Sequence, residues 1–452
     1  MMLRLILAIV VCVLWASGPA RADERWLLVT DIHLNPFDPR DYPAFPGRDT
    51  NTTLFRESLA AMKRTVPNPT VVLLGGDFLA HHFPERSRGF HGSGLATQDA
   101  IATMKSIAAA FNRAYPHAHF AVALGNNDDP CGDYRSEYND NYMAALARIW
   151  KPLVDRDAVA PGFAQTFSRG GYSEVPVMHG RVRIMTLNSV YWSFFYRGAC
   201  SRLPRNPGLE EHEWMQRTLA ATPPNVRTVV LTHIPPGVDP QSTLTAHRVV
   251  TVPFLHGGDD RALADIFQQS GNRIAWMVVG HAHRNDVRLV GGVPVLIASS
   301  ISPVYRNGPA FFVLDVTDDG SLRDIDTYVY DYDRDDWDRA PSFDTAWKVK
   351  GFTAEAVRSI HDRLAVDPDL REMWAERYTA WGWRIDDIDE TTWRVYWCAQ
   401  TEQSGGAFEQ CAGTTKRVTA FIIAAVALAV CIVVAIGAIV WSLVRRRSRR
   451  FA

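Results

Sequence analysis

Short apolar runs recur along the chain, and each is followed by polar residues. Their content of Val, Leu and Ile is typical of strands that are buried on both faces of a sheet. Five of these runs end in side chains that can bind metal: Trp26–Thr30, Val71–Leu74, Phe120–Leu124, Thr228–Leu231 and Ile274–Val279. Further strands are predicted at Val182–Leu187, Val293–Ala298 and Phe311–Val316.

Stretches of helical periodicity separate the runs. Apolar residues at i, i+3 and i+4 predict helices at Thr53–Arg64, Thr97–Phe111 and Leu209–Leu219. Alternating strands and helices predict a layered α/β architecture, with a functional site at the carboxyl ends of the strands. We expect this α/β domain over residues 23–330, followed by a small helical subdomain and linker over 331–415. Its helices are predicted at Thr353–Leu364 and Pro368–Tyr378.

The start of the chain is predicted to be a signal peptide over residues 1–22. Arg4 precedes the apolar run Leu5–Trp15, and Ala20-Arg21-Ala22 supplies a small-x-small cleavage site. An uncleaved anchor is the alternative, but the run is short for a bilayer span.

A second apolar segment predicts a transmembrane helix over residues 418–444. No charged residue lies between Ala420 and Val444, and the segment is long enough to cross a bilayer. The basic tail that follows, 445–452, is expected to stay in the cytoplasm. A buried core helix is the alternative, and it would leave the arginines of the tail unexplained. The body is therefore expected outside the cytoplasm, in the periplasm of a bacterium or in the lumen or exterior of a eukaryotic cell.

Opposite charges balance in the whole chain but not in its body. The chain has 48 Lys and Arg against 49 Asp and Glu, whereas residues 23–415 hold 39 basic and 49 acidic residues, a net charge of −10. Such a body is not expected to bind nucleic-acid duplexes, and it is a poor partner for other long polyanions unless a metal supplies local positive charge.

The cysteines predict two disulfide bonds. Cys12 lies in the predicted signal peptide and Cys431 in the predicted span. An even number then remains in the exported body, as is typical of disulfide-bonded proteins. These are Cys131, Cys200, Cys398 and Cys411, for which three pairings are open. We favour Cys398 with Cys411 because that loop is local, and Cys131 with Cys200 would then follow.

Seven side chains at the ends of predicted strands have the chemistry of metal ligands. Carboxylates, imidazoles and an amide oxygen suit borderline divalent ions, zinc first and iron or manganese next. They are Asp31, His33, Asp77, Asn126, His233, His281 and His283. A lone histidine at such a place is usually an ordinary polar residue, but seven suitable residues behind successive strands predict a centre for two divalent metals.

The order of these residues resembles the calcineurin-like metallophosphoesterases. The motifs D-x-H, G-D, G-N-x-D, H and G-H-x-H appear in that order between Trp26 and about Val316. Three finer motifs resemble the acid sphingomyelinase-like phosphodiesterases within that superfamily. They are Gly76–His81 for G-D-x-x-x-H, Thr232–Gly237 for H-I-P-P-G, and Ser300–Tyr305 for S-I-x-P.

The resemblance implies the calcineurin-like fold, a layered β-sandwich core flanked by helices, and a role for each ligand. Asp31, His33 and His283 would hold one metal, Asn126, His233 and His281 the other, and Asp77 would bridge them. It also implies that a hydroxide held between the ions attacks phosphorus in line.

One position departs from the superfamily. Most members have a histidine where this chain has Asn127, and that histidine is a favoured proton donor to the leaving oxygen. His81 is the natural replacement for that histidine. It is expected to serve catalysis directly, together with the ligands Asp77 and Asn126. A good leaving group could also depart without an acid. Asn127 and Asp128 are expected behind the ligands, with Asp128 orienting one of them.

Together these inferences predict an exported, membrane-anchored phosphodiesterase for small phosphodiesters, either nucleotides or phospholipid head groups. The saposin-like domain of acid sphingomyelinase has no place between the predicted cleavage site and Asp31, so sphingomyelin is not singled out. A polyphosphatase, which G-N-N-D also fits, and a phosphomonoesterase are the alternative enzymes. A catalytically silent surface binding protein is the alternative from another class, and missing ligands would indicate it. The oligomeric state is not predicted.

Overall fold

The structure is a computed structural model that describes residues 24–448 except 93, 201–205, 247–249, 383–386 and 404. The predicted signal peptide lies outside these residues, as does the end of the predicted basic tail. The described residues form two mixed β-sheets, against which helices pack.

The first sheet combines strands from the start and the middle of the chain. They are β1 (Glu24–Val29), β2 (Val71–Leu74), β3 (His119–Val122), β10 (Ala310–Val316), β11 (Leu322–Asp331) and β12 (Asp336–Arg339), in the order β12-β11-β10-β1-β2-β3. β1, β2 and β3 run parallel, and β10 pairs antiparallel with β1. The register places Val29 beside Leu74 and Leu74 beside Val122, so these three strands end side by side.

The second sheet lies between these two parts of the sequence. It contains β4 (Ser173–Val177), β5 (Val182–Thr186), β6 (Arg227–Leu231), β7 (Ile274–Val279), β8 (Asp286–Val290) and β9 (Val293–Ile297), in the order β4-β5-β6-β7-β9-β8. β5, β6, β7 and β9 are parallel, and the two edge strands β4 and β8 are antiparallel to their neighbours.

The two sheets share a hydrophobic core. Trp26 of β1 and Trp276 of β7 are both buried, with their ring centroids 6.0 Å apart. The same buried cluster includes Leu27 of the first sheet and Val229 and Val278 of the second. The predicted layered α/β core flanked by helices is confirmed.

Helices fill most connections between the strands. They are α1 (Thr52–Thr65), α2 (Phe83–His91), α3 (Ala96–Ala114), α4 (Asn141–Val154), α5 (Phe163–Gly170), α6 (Pro207–Ala221), α7 (Pro240–Thr245) and α8 (Gly257–Ser270). Side chains cap several of them, because the first N–H groups of a helix have no partner within it. Asn51 accepts from the N–H of Leu54 over 3.0 Å, and Asp140 from that of Met143 over 2.8 Å.

The C-terminal part is helical, as predicted. It consists of α9 (Phe343–Trp347), α10 (Ala354–Val366), α11 (Pro368–Tyr378), α12 (Trp393–Ala399), α13 (Gly405–Ala412) and α14 (Thr414–Ser448). It is joined to β8, where Asp286 accepts hydrogen bonds from Trp374 Nε1 (3.1 Å) and Gln400 Nε2 (2.9 Å). The expected boundary at residue 330 needs correction, because β12 pairs with β11 and carries the first sheet on to Arg339.

Helix α14 contains the segment expected to cross a membrane. Among the described residues, its stretch Ala424–Trp441 is long and apolar enough for a span, and the side chains of that stretch are exposed. Nearby, the structure contains both favoured disulfides, Cys398–Cys411 between α12 and α13 and Cys131–Cys200 in the body.

Candidate metal centre

All seven predicted ligands lie together at the carboxyl ends of the central strands. Asp31 and His33 follow β1, Asp77 follows β2, Asn126 follows β3, His233 follows β6, and His281 and His283 follow β7. All are buried except His281, which is half-buried. Because parallel strands of both sheets end at the same edge of the sandwich, residues far apart in sequence converge there.

The backbone at the ligands is strained. Asp31, His33, Asp77, His281 and His283 have positive φ angles of 51°, 44°, 54°, 68° and 53°. Such conformations cost non-glycine residues of order 1 kcal/mol each and are found mainly at functional sites. Hydrogen bonds between loops hold them, since Asp31 N–H donates to the carbonyl of Gly76 (3.0 Å) and His33 N–H to that of Asp77 (2.8 Å).

Gly125 of the G-N motif is required by the packing of Asp77. A Cβ atom at position 125 would lie 2.1 Å from Asp77 Oδ1 and 2.4 Å from the Asp77 nitrogen. Only glycine therefore lets the end of β3 approach the aspartate closely.

Asp77 stands between two groups of histidines. Its Oδ2 atom lies 3.3 Å from His33 Nε2 and 3.2 Å from His233 Nε2. On one side, His283 Nε2 is 3.1 Å from His33 Nε2 and 3.3 Å from Asp31 Oδ1. One carboxylate oxygen is therefore within reach of both groups.

The other side is built around the amide of Asn126. Its Oδ1 atom lies 3.1 Å from His233 Nε2 and 2.7 Å from His281 Nδ1. Asp77, His233 and His281 offer ligand atoms within 4.8 Å of one another, and so do Asp31, His33 and Asp77.

Hydrogen bonds set which histidine nitrogen faces the centre. His33 Nδ1 donates to the carbonyl of Leu79 (3.0 Å), and His233 Nδ1 donates to that of Gly75 (2.8 Å). In the neutral rings the Nε2 lone pairs then point at carboxylate and amide oxygens. Lone pairs directed at one point repel unless a positive charge lies between them, and a divalent ion supplies such a charge.

The pKa values of the histidines also show that a positive charge is favoured at this centre. Burial opposes protonation of His33, but the carboxylates of Asp77, Asp31 and Asp49 outweigh it and raise its pKa to about 9. Burial likewise opposes protonation of His233, whose pKa is raised to about 10 by Asp77 and Asp31. Burial lowers the pKa of His281 to about 3 and that of His283 to about 4, which leaves both rings neutral, the form that binds metal.

The donor set fits two borderline divalent ions. It combines carboxylate, imidazole and amide oxygen donors, with a carboxylate between two groups of ligands, as a binuclear centre requires. Asp31, His33, Asp77 and His283 would hold one ion, and Asp77, Asn126, His233 and His281 the other.

Asn127 and Asp128 lie behind Asp77. Asn127 donates to Asp77 twice, from its backbone N–H to Oδ1 (2.7 Å) and from Nδ2 to Oδ2 (3.0 Å). Asp128 accepts the backbone N–H groups of Asp77 (2.9 Å), Phe78 (2.7 Å) and Leu79 (3.2 Å). Asn127 therefore orients the carboxylate of Asp77, and Asp128 holds the turn that carries it.

His81 lies beside the first group of ligands. Its ring stacks on that of His33, with centroids 4.0 Å apart. Its Nδ1 donates to Asp49 Oδ1 (2.7 Å), and the Tyr305 hydroxyl lies 3.3 Å from its Nε2. The side chain of His81 is 18% exposed, so it can meet a molecule bound at the metals.

A cavity of about 280 Å³ opens beside the second group of ligands. His281, Tyr134 and Tyr305 contribute to its wall, and Phe254 lines it as well. Rings and hydroxyl groups at this position can contact whatever is attached to a phosphate at the metals.

Sequence reasoning missed Asp49, Asp133 and Tyr134. Asp133 Oδ1 accepts from Asn126 Nδ2 (2.7 Å), and the Tyr134 hydroxyl lies 3.3 Å from His281 Nε2. Asp133 and Tyr134 follow closely on the G-N-N-D motif, which was the only available signal, and Asp49 had none. Tyr305 lay within the S-I-x-P block but had no role assigned to it.

The chain is similar to known phosphodiesterases in sequence. It is 27% identical over 301 residues to sphingomyelinase phosphodiesterase D of Dictyostelium discoideum, with 63% of this chain and 61% of that protein covered. It is 27% identical over 219 residues to the human cyclic GMP-AMP phosphodiesterase SMPDL3A, with 46% and 45% covered. The chain thus spans less than two thirds of the length of either relative.

No protein-family model matches the chain. A solved structure of PhoD matches with a TM-score of 0.40 and 11% identity, covering 76% of this chain and 78% of PhoD. The resemblance seen in the motifs is confirmed by the sequence relatives: the chain is related to the acid sphingomyelinase-like phosphodiesterases.

Proposed function

We propose that the chain is a phosphodiesterase with two divalent metal ions, which hydrolyses small phosphodiesters such as nucleotides or phospholipid head groups. The observation that carries the proposal is the position of Asp77 Oδ2, within 3.3 Å of His33 Nε2 and 3.2 Å of His233 Nε2. The two named relatives, both phosphodiesterases, support the class of reaction.

The side chains of the site have separate roles in the proposed reaction. When bound, the two ions supply a hydroxide nucleophile at neutral pH and neutralise charge on the phosphate. Asp77, held by Asn127, fixes the spacing of the two halves. His81 directs Nε2 towards the first half because Nδ1 is engaged by Asp49. His81 therefore donates a proton to the leaving oxygen, the role left open by Asn127. Zinc is the preferred ion, with iron or manganese as alternatives.

We also propose that the enzyme is exported and anchored in a membrane by α14. The exposed apolar stretch Ala424–Trp441 supports the anchor, and the basic residues after it favour a cytoplasmic tail. Two disulfides in the body support an oxidising compartment. Alkaline extraction should leave the chain in the membrane pellet, and protease added outside sealed vesicles of known orientation should reach the body.

The activity is tested with the full chain in detergent and bis-p-nitrophenyl phosphate. We expect turnover that a chelator abolishes and Zn²⁺, Mn²⁺ or Fe²⁺ restores. Asp77→Asn keeps the size of the side chain but removes its charge, and it should lose both turnover and bound metal. An absence of turnover with every metal would overturn the proposal. If p-nitrophenyl phosphate is hydrolysed faster than the diester, the enzyme is a phosphomonoesterase. If phosphate is released faster from polyphosphate, it is a polyphosphatase.

A further inference from the structure

A short loop touches two ligands of the proposed second metal. We call Cys131–Tyr134 the CGDY loop; Asp129 and Pro130 separate it from the G-N-N-D motif. Asp133 Oδ1 accepts a hydrogen bond from Asn126 Nδ2 over 2.7 Å. The Tyr134 hydroxyl lies 3.3 Å from His281 Nε2. Adjacent residues of one loop therefore contact two of the four groups that would hold this ion.

Asp133 decides which end of the Asn126 amide faces the metal. The oxygen and the NH₂ group of an amide have nearly the same size, but only the oxygen is an acceptor. Because Asp133 takes the NH₂ group, Oδ1 is directed towards His233 and His281. Without an acceptor at position 133, the amide gains a rotated state that presents two N–H donors to the ion.

Tyr134 acts in the same way on His281. A proton on Nε2 of this ring can be donated to the tyrosine oxygen, which leaves the lone pair of Nδ1 for the metal. Partners of this kind fix the tautomer and the direction of a ligand.

The disulfide holds the loop in place. Cys131 is bonded to Cys200, and the N–H of Arg197 donates to the carbonyl of Tyr134 over 2.8 Å. The N–H of Tyr134 donates back to the carbonyl of Asn126 over 3.0 Å. Gly132 forms the turn between Cys131 and Asp133, with a φ angle of 116° that other residues rarely adopt.

The ligands of the first metal have other supports. His33 is fixed by the carbonyl of Leu79, and Asp31 Oδ2 accepts a hydrogen bond from Thr30 Oγ1 over 2.5 Å. Neither contact involves the CGDY loop. A change in the loop should therefore affect one ion more than the other.

We propose that the CGDY loop is a positioning element for the second metal, in which Asp133 orients Asn126, Tyr134 orients His281 and the Cys131–Cys200 bond keeps both in place. It follows that reduction of this disulfide weakens the binding of the second ion. This inference rests on the proposed two-metal centre.

The test is a calorimetric titration of the metal-free full chain in detergent with Zn²⁺ alone. The wild type should bind two ions. Asp133→Ala should bind the first with unchanged affinity and the second about 10–100-fold more weakly, the usual cost of losing a partner behind a ligand. Asp133→Asn, which keeps an acceptor oxygen, should restore most of the affinity. Tyr134→Phe should weaken the second ion in the same sense.

The disulfides provide a matched pair of variants. Cys131→Ser with Cys200→Ser should weaken the binding of the second ion as Asp133→Ala does. Adding Asp133→Ala to this double-serine variant should cause little further loss of affinity. Cys398→Ser with Cys411→Ser removes the other disulfide and should leave both affinities unchanged. An unchanged affinity for the first ion shows that each variant is folded at the site.

Three outcomes would count against these ideas, each in its own way. If Asp133→Ala binds both ions as the wild type does, the positioning role is wrong while the two-metal centre stands. If both affinities fall together, the loop is a general structural support and the inference is also wrong. If the wild type itself binds fewer than two ions, the proposed metal centre fails, whatever the variants do.

Discussion

The carboxylate of Asp49 accepts a hydrogen bond from His81 Nδ1 over 2.7 Å. Its other oxygen accepts from Arg86 Nη2, also over 2.7 Å. Burial would raise the pKa of Asp49, but the His81 hydrogen bond and the nearby positive charges lower it, so the group stays ionised. Asp49 thus fixes the direction of His81 Nε2. Asp49 itself lies in a loop with no recognisable motif.

His81→Ala should slow the cleavage of diesters with poor leaving groups by about 10²–10⁴-fold, because such groups need a proton as they depart. Activated leaving groups, which need no acid, should be affected much less. The measurement is kcat for a series of aryl phosphodiesters whose leaving phenols have rising pKa. Metal content should remain at the wild-type level, and a loss of metal would make His81 a ligand instead.

Asp49→Asn should give a weaker form of the same pattern. The amide keeps the shape of the side chain but loses its charge, so it holds the Nδ1 proton of His81 less firmly, and the loss should be smaller than that of His81→Ala. The loss should again grow with the pKa of the leaving phenol. A uniform loss across the series would show that Asp49 only stabilises the fold.

Gly125→Ala should disrupt the metal centre without removing a ligand. The new Cβ would lie 2.1 Å from Asp77 Oδ1, so the carboxylate must move from its place between the two histidine groups. We expect fewer than two bound ions by elemental analysis and little turnover. Gly89→Ala in helix α2 is the matched control, since nothing lies within 4 Å of its added Cβ. Full metal content in Gly125→Ala would show that the turn can adjust.

The Cys398–Cys411 bond should stabilise the C-terminal helices rather than the centre. It closes a loop with a sequence separation of 13 and lies in a small apolar cluster with Val238 and Phe408. Its removal should lower the free energy of unfolding of this part by roughly 3 kcal/mol, from loop entropy. Thermal unfolding of Cys398→Ser with Cys411→Ser measures this loss. An unchanged transition temperature would contradict the expectation.

The sequence predicted the central strands because they are buried on both faces and read as continuous apolar runs. Strand β8 was not predicted, since it includes Asp286 and Arg288, whose burial depends on partners from other parts of the chain. Strand β4 contains Pro176, which is tolerated because β4 lies at a sheet edge. Helix α4 was also missed, although Asp140 and the spacing of Tyr142, Leu146 and Trp150 are typical of a capped amphipathic helix.

The candidate ligands could be found from sequence for a similar reason. Each follows a strand, and parallel strands bring their ends to one edge, so local pattern was enough. The supporting residues could not be found in this way. Asp49, Asp133 and Tyr134 lie in irregular loops, and their positions depend on contacts such as the Cys131–Cys200 bond, which no periodicity encodes.

Asp260 should make the stability of the protein depend on pH. Burial raises its pKa to about 7, although it accepts the N–H of Gly237 over 2.8 Å. In the unfolded chain an aspartate titrates near about 3.9. At pH values between these two the folded state keeps the proton and the unfolded state releases it. Stability is therefore lost as the pH rises through this window.

Asp260→Asn cannot ionise and should remove this contribution. Relative to the wild type, the variant should gain about 4 kcal/mol in free energy of unfolding between pH 4 and pH 8, from about 1.4 kcal/mol per pKa unit. Urea unfolding of the full chain in detergent at several pH values measures the difference. Asp265→Asn, at an exposed position of the same helix α8, is the control and should show no such trend. A constant difference between Asp260→Asn and the wild type at all pH values would mean that Asp260 is ionised in the folded protein, held by the nearby charge of Arg288.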